Sequence, residues 1–341
     1  MKVALVMTIK NEARLLRQNV LYHLGIGIYK VFIYLDGTED NSADTLNDLQ
    51  NIDIQNSVSA EKYRGFPFME KFWGNANEHH TARQCLNTFD ALRKCKEQGI
   101  DWLVSLDADE LLITSNRDHI PFDDFFGDAK IKNADIVHLS TLEVVSQKMH
   151  YDFVMAEETL FKTRKNFKSK LDQIYIKLYD PYTDTYFNRL FWFGHTMGKG
   201  ILNVASDLIP ENVHRYTKKD FSKPKVIKKG HVLHYHIYDS EDFIKKFDNF
   251  KDRSSTYLSG NDIQRIKRLW IRLVNDQAYG KKELEEYFKD NLLFNQQKLQ
   301  ALYKTRIFNV LKRREEAVIE IDIPKKILSD CQLVPTNSNI N

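Results

Sequence analysis

Residues 3–36 already commit the chain to a parallel sheet. Val3-Ala4-Leu5-Val6-Met7 is a compact apolar run, and after it Ala13, Leu16, Val20 and Leu24 recur at the spacing of one helical face. A second apolar run, Val31-Phe32-Ile33-Tyr34-Leu35, leads into Asp36 and a turn-rich Gly37-Thr38-Glu39-Asp40-Asn41-Ser42. Strand, helix and strand in this order make a βαβ unit, the building block of a parallel sheet. Asn11 stands where the helix wants an N-cap, since its side-chain oxygen can accept from an otherwise unpaired backbone N–H. Gly25-Ile26-Gly27 follows the helix and lacks the third glycine of a dinucleotide fingerprint, so it reads as helix termination.

The alternation continues. A weaker strand is expected near 52–58, a polar and aromatic loop over 61–75, and a long helix from about Thr81 to Gln98, closed by Gly99. Trp102-Leu103-Val104-Ser105-Leu106 is then a buried strand and the expected centre of the sheet. Further strand signals lie at 135–147 and 173–179, and the chain turns helical after about 240. At 341 residues, with roughly 150 residues to a domain, the expected organisation is an α/β domain over 1–240, a helical region over 241–334 and a polar tail over 335–341.

Composition narrows the partners. Fifty basic and 47 acidic residues leave a formal charge of +3, too balanced for nucleic acid to be the main partner. Cys85, Cys95 and Cys331 are odd in number and widely spaced, which fits neither a disulfide framework nor a zinc knuckle and suits a reducing compartment. The apolar run after Met1-Lys2 is shorter than a signal-peptide core, and no stretch approaches the roughly 18 apolar residues of a membrane span. The expectation is a cytoplasmic protein whose membrane contact, if any, is peripheral to the inner face.

The chemistry concentrates where the central strand ends, at Asp107-Ala108-Asp109-Glu110. In extended backbone, residues i and i+2 point to the same side, and in an open α/β sheet ligands bind beyond the carboxyl ends of the strands. Asp107 and Asp109 are thereby placed for a joint task. Hard oxygen donors of this kind suit Mg²⁺ or Mn²⁺ held between carboxylates and a substrate diphosphate. In Gly230-His231-Val232-Leu233-His234-Tyr235-His236, period-2 geometry puts His234 and His236 on one face and His231 on the other. A closed structural zinc site is disfavoured because neighbouring cysteines are absent. Gly194-His195-Thr196-Met197-Gly198-Lys199-Gly200 offers small residues and one cation to a diphosphate, but it is not a Walker P-loop.

Four stretches together carry a resemblance: Thr8-Ile9-Lys10-Asn11-Glu12, Ile33 to Ser42, Asp101 to Glu110, and His234-Tyr235-His236. Their order and spacing resemble the glycosyltransferase family 2-like proteins of the GT-A superfamily and the related family 92 type. The resemblance implies a GT-A nucleotide-sugar-binding fold with a mainly parallel central sheet, followed by a mostly helical C-terminal region. It implies that Thr8 and the Lys10-Asn11-Glu12 turn line the nucleotide pocket and that Asp36 contacts the base. Arg83 would then reach the nucleotide from the opposite wall. Asp107, Asp109 and His234 would form the metal shell, with Asp107 and Lys199 also toward the donor diphosphate, Lys199 standing in a loop similar to the Gly-Lys loop of family 92-like members. The donor is expected to be a UDP-sugar, the acceptor a hydroxyl of a glycan or lipid-linked glycan, and the outcome inversion.

Inversion needs a base within hydrogen-bond reach of the acceptor. Glu143 is the candidate, Asp152 the fallback, and Glu110 is expected to be an anchor beneath the metal loop. The helix Ile263 to Val274 is basic and amphipathic; it suits either anionic lipid or ordinary packing on its own domain. Lys312-Arg313-Arg314, cut short by Glu315-Glu316, reads as a solvated helix face. Two rival functions stand beside this reading. A sugar-1-phosphate nucleotidyltransferase would want a Gly-rich phosphate loop after the first strand, and a non-catalytic sugar-binding module would not need paired carboxylates.

Overall fold

The computed structural model describes residues 1–115, 118–162, 197–251, 258, 265–298 and 318–330. The strand signal at 173–179, Gly194-His195-Thr196, Ile263, Lys312-Arg313-Arg314, Cys331 and the tail from Pro335 lie outside the described residues.

A ten-stranded sheet organises the chain. Its parallel centre is β3 (Ile52–Asn56), β2 (Lys30–Leu35), β1 (Val3–Ile9) and β4 (Trp102–Ser105), side by side in that order. Leu5 sits opposite Val31 on one side and Val104 on the other. Beyond β4 come β8 (Lys199–Asn203), β6 (Ile136–Val144), β7 (Leu160–Lys162) and β12 (Val318–Glu320), while β11 (Val226–His234) pairs with both β6 and β5 (Glu110–Ile113). β5, β7 and β8 run against the other seven strands. The mainly parallel α/β architecture is therefore present, with parallel neighbours concentrated in the N-terminal half. A separate antiparallel ribbon joins β9 (Leu208–Asn212) and β10 (Arg215–Lys218).

The near-continuous apolar character of β1 has a simple cause. Val3, Leu5, Met7 and Ile9 face one core with helix Ala13–Gly25, whereas Ala4 and Val6 face a second core with helix His80–Glu97. A strand covered on both faces gains nothing from polar alternation.

The start of helix Ala13–Gly25 corrects one expectation. Asn11 does not cap it: Asn11 takes a left-handed φ of 57° and accepts from the Glu39 N–H at 2.9 Å. The first helical N–H groups are satisfied instead by the turn after β2, with Glu12 N–H donating to Ser42 Oγ (2.9 Å) and Ala13 N–H to Asp40 Oδ2 (3.0 Å). Orphan donors need an acceptor, and here a long-range partner supplies it. Cys85 and Cys95 are buried and unpaired on helix His80–Glu97.

After residue 240 come helices Ser240–Asp248, Arg265–Asn275, Lys281–Asn291 and Ile323–Asp330. The apolar side of Arg265–Asn275 is taken up within the chain, Trp270 packing its ring 5.1 Å from Phe247 and 6.1 Å from Phe243. β12 crosses the expected boundary near 240 and returns to the main sheet beside β7. No described helix is long and apolar enough to cross a membrane.

Candidate active site

The site is built where β1, β2 and β4 end. The chain leaves β4, turns through Asp107-Ala108-Asp109 and reverses into β5, which pairs with β11. Glu110 anchors the turn, accepting from the Asp107 N–H at 2.9 Å while its Oε2 lies 3.1 Å from Lys199 Nζ. Helix Ala13–Gly25 holds it from the other side: Asn19, fully buried, donates to the carbonyls of Ala108 (2.9 Å) and Glu110 (2.8 Å). One turn on, Tyr22 donates to Leu112 O at 2.8 Å and His23 Nε2 accepts from Leu112 N–H at 3.2 Å. Residues 19, 22 and 23 share one helical face, so three side chains satisfy an edge of β5 that carries no strand among the described residues. Asn19→Ala would leave two buried carbonyls without these partners and is expected to cost about 2 kcal/mol or more. A urea midpoint equal to that of the parent at unchanged m-value would refute the clamp.

Asp109, His234 and His236 form the metal-competent group, their donor atoms all within 4.8 Å of one another. The two imidazoles stack with centroids 5.1 Å apart. His234 Nδ1 is hydrogen-bonded to Glu143 Oε1 at 3.0 Å, and its Nε2 lies 3.3 Å from Asp109 Oδ2. Lys246, from helix Ser240–Asp248, donates to that same oxygen at 2.6 Å. Burial pushes the Asp109 carboxyl up, but Lys246 and His234 outweigh it and hold the group well below the usual carboxylate range. Burial likewise opposes the charge on His234, yet Glu143 and Asp109 raise its pKa to about 10.

Asp107, expected in the metal shell, is held by two side chains of other elements. Its carboxylate accepts from Gln84 Nε2 (2.9 Å) and Lys199 Nζ (2.7 Å), and it is not one of the grouped donors. Lys199 differs from the expectation of a loop cation. It opens β8, is 3% exposed, and its ammonium lies between Asp107 and Glu110. Gly198 brings it there at a φ of 68°, where an added Cβ would fall 2.1 Å from Leu139 O. No side chain fits that approach.

On the β1 and β2 side, Thr8 Oγ1 accepts from Asn87 Nδ2 at 3.0 Å. Lys10 is half-buried just past β1. Asp36 and Arg83 are brought together: Nε and a terminal nitrogen of Arg83 grip the carboxylate at 2.5 and 2.9 Å. Helix His80–Glu97 packs across the sheet face, which carries residue 83 over the end of β2. Glu12 reaches Lys245 at 2.9 Å, and burial, opposed by Lys245, pushes its carboxyl up to about 7. Asp152 stands apart, 82% exposed and 3.5 Å from His150 Nε2.

Sequence reasoning missed Gln84, Lys245, Lys246 and the clamp of Asn19. The double lysine shortly after the histidine strand was the available signal, but only helix packing aims its ammonium groups at Glu12 and Asp109.

A family model described as glycosyltransferase family 92 matches residues 6–272. Two glycosyltransferase-like proteins of Arabidopsis thaliana are similar to the chain. One is 22% identical over 257 residues, covering 72% of this chain and 55% of the relative. The other is 20% identical over 294 residues, covering 82% and 55%. The chain thus spans about half the length of the curated relatives it matches. Among solved structures, a galactosyltransferase complexed with donor and acceptor sugar analogs aligns over 59% of this chain and 58% of its own, at 14% identity and a TM-score of 0.24. HddC from Yersinia pseudotuberculosis aligns over 74% and 100%, at 11% identity and a TM-score of 0.31, and likenesses this low carry no argument. The family match rests on the sequence from the end of β1 to helix Arg265–Asn275, the span that also contains Asp107, Asp109, Lys199, His234 and Lys246, and the chain belongs to glycosyltransferase family 92.

Proposed function

We propose that the chain transfers a sugar from a nucleoside-diphosphate donor, a UDP-sugar, to a hydroxyl of a glycan or lipid-linked acceptor, with inversion and with a divalent ion. The observation that carries this reading is the grouping of Asp109, His234 and His236 beside Asp107, beyond the carboxyl ends of parallel strands. One carboxylate and two imidazoles form a mixed oxygen and nitrogen set, which suits Mn²⁺ better than Mg²⁺. Bound there, the ion would supply charge neutralisation to the departing diphosphate. Asp36 and Arg83, together past β2, are assigned to the nucleoside, with Thr8 and Lys10 alongside.

The chain's own residues divide the rest of the work. Glu143 orients the His234 ring through Nδ1, which turns Nε2 toward Asp109. In this proposal that engagement makes Glu143 a positioning residue. Glu12 takes the role of base, because its half-buried carboxyl lies just past β1, at the same end of the sheet as Asp109, and its pKa, pushed up to about 7, poises it to accept a proton near neutral pH. Glu12→Gln is expected to lower transfer by about 10²–10⁴-fold while donor affinity holds. Unchanged turnover would return the role to another carboxylate. Helix Ser240–Asp248 belongs to the same functional unit, since its Lys245 and Lys246 bind Glu12 and Asp109.

The test is release of nucleoside diphosphate from a panel of sugar nucleotides, with and without Mn²⁺. Release only with the ion supports the proposal. Pyrophosphate formation from a sugar 1-phosphate and UTP would instead establish a nucleotidyltransferase. In thermal melts, UDP is expected to raise the Tm only when a divalent ion is present, because a ligand stabilises the native state by binding it. An equal shift without metal would refute that coupling.

A further inference from the structure

The segment between β10 and β11 combines features that ordinary packing does not explain. Phe221 is 70% exposed, the most exposed large apolar side chain among the described residues. It also holds a left-handed φ of 62°, a conformation that costs a bulky residue energy. The turn is built to keep it there. Phe221 N–H donates to Lys218 O (2.8 Å), Ser222 N–H and Oγ both donate to Asp220 Oδ1 (2.9 and 2.6 Å), and Lys219 N–H is tied to Asp207 O (2.9 Å). On the far side, Lys225 N–H donates to Asp135 Oδ2 at 2.7 Å. Both ends are pinned and the aromatic ring projects from the apex.

Residues 218–229 hold six lysines, 218, 219, 223, 225, 228 and 229, and one acid, Asp220, while the fold brings Asp128, Asp135 and Asp207 beside them. Lys218 pairs with Asp135 and Lys229 with Asp128. Lys219, Lys223, Lys225 and Lys228 are exposed and form no ion pair among the described residues. Val226, 46% exposed, adds a second apolar side chain.

We propose that this segment is a docking surface for an anionic phospholipid membrane, with Phe221 inserted at the head-group level and the lysines lying over the charged lipids. An aromatic at the apex suits the interface, where a ring partitions between water and acyl chains. The basic residues are all lysine. Discrete phosphate recognition favours the bidentate fork of arginine, whereas mobile ammonium point charges suit a diffuse field of head groups. Val226 opens β11 and His234 closes it, eight residues on, at most about 26 Å at about 3.3 Å per residue. The proposal does not depend on the assigned sugar-transfer chemistry.

Co-sedimentation of the full chain with phosphatidylcholine vesicles, with and without a third of phosphatidylglycerol, tests it. The parent is expected to bind only the anionic vesicles. Phe221→Ala should weaken that binding about tenfold, and the triple change Lys223→Gln, Lys225→Gln, Lys228→Gln about a hundredfold. Both variants should keep the parental Tm, which separates lost docking from lost folding. Equal binding to neutral vesicles would overturn the proposal. So would binding to anionic vesicles that is indifferent to Phe221, or heparin binding that matches vesicle binding and ignores Phe221, since either would reduce the patch to a general polyanion surface.

Discussion

Asp109→Ala is expected to lower metal-dependent turnover of the donor on the order of a thousandfold, because a Lewis-acid ion contributes several kcal/mol and each 1.36 kcal/mol is about tenfold in rate. Asp109 is the only carboxylate in the group with His234 and His236 among the described residues, so no neighbour replaces it. The same substitution removes the counter-charge of Lys246 and His234. Breaking a buried pair from one side costs about 3–5 kcal/mol, so a drop in Tm is expected with Asp109→Ala. Asp109→Asn keeps the shape and a hydrogen-bonding oxygen, and it separates the two effects. Its activity should fall as far as that of the alanine variant, while the part of the stability that rests on shape and hydrogen bonding returns and the part that rests on the lost counter-charge does not. Full turnover by a folded Asp109→Asn variant would reject the assignment of the metal to this residue.

The second large effect is on ion binding as a function of pH. Burial alone would lower the pKa of His234, but Glu143 and Asp109 outweigh it and raise the value to about 10 from 6.5. A raised imidazole contributes stability that is fully present below about 6.5 and is lost as the pH climbs through about 10. With these partners His234 carries its proton at neutral pH, and an ion at Nε2 requires that proton to leave. Apparent Mn²⁺ affinity should therefore rise by about tenfold per pH unit from about 7 to about 9, with one proton released per ion. Calorimetry in two buffers of different ionisation enthalpy counts that proton directly. His234→Ala should bind weakly with a flatter slope, and Glu143→Gln should lose about 10–100-fold in affinity. A pH-independent affinity in the parent protein would show that His234 is not a ligand.

Much of this site is legible in the amino-acid sequence itself. Periodicity alone marks β1, helix Ala13–Gly25 and β2, and it puts Asp107 and Asp109 past the end of a buried strand. Period-2 geometry sets His234 and His236 on a common side, and their rings do stack. These features are local: which residues face the core repeats every two or 3.6 positions, and the sequence records that repeat directly. Partners across the fold leave no such record. His234 meets Glu143 across 91 positions because β11 inserts between β5 and β6, and Lys199 meets Asp107 across 92 because β8 runs antiparallel beside β4. Lys246 reaches Asp109 across 137 positions only because the aromatic packing of helix Ser240–Asp248 aims it there. The same holds for the cap that passed from Asn11 to Ser42 and Asp40. Either acceptor satisfies the same N–H chemistry, and the approach of the turn after β2 decided between them.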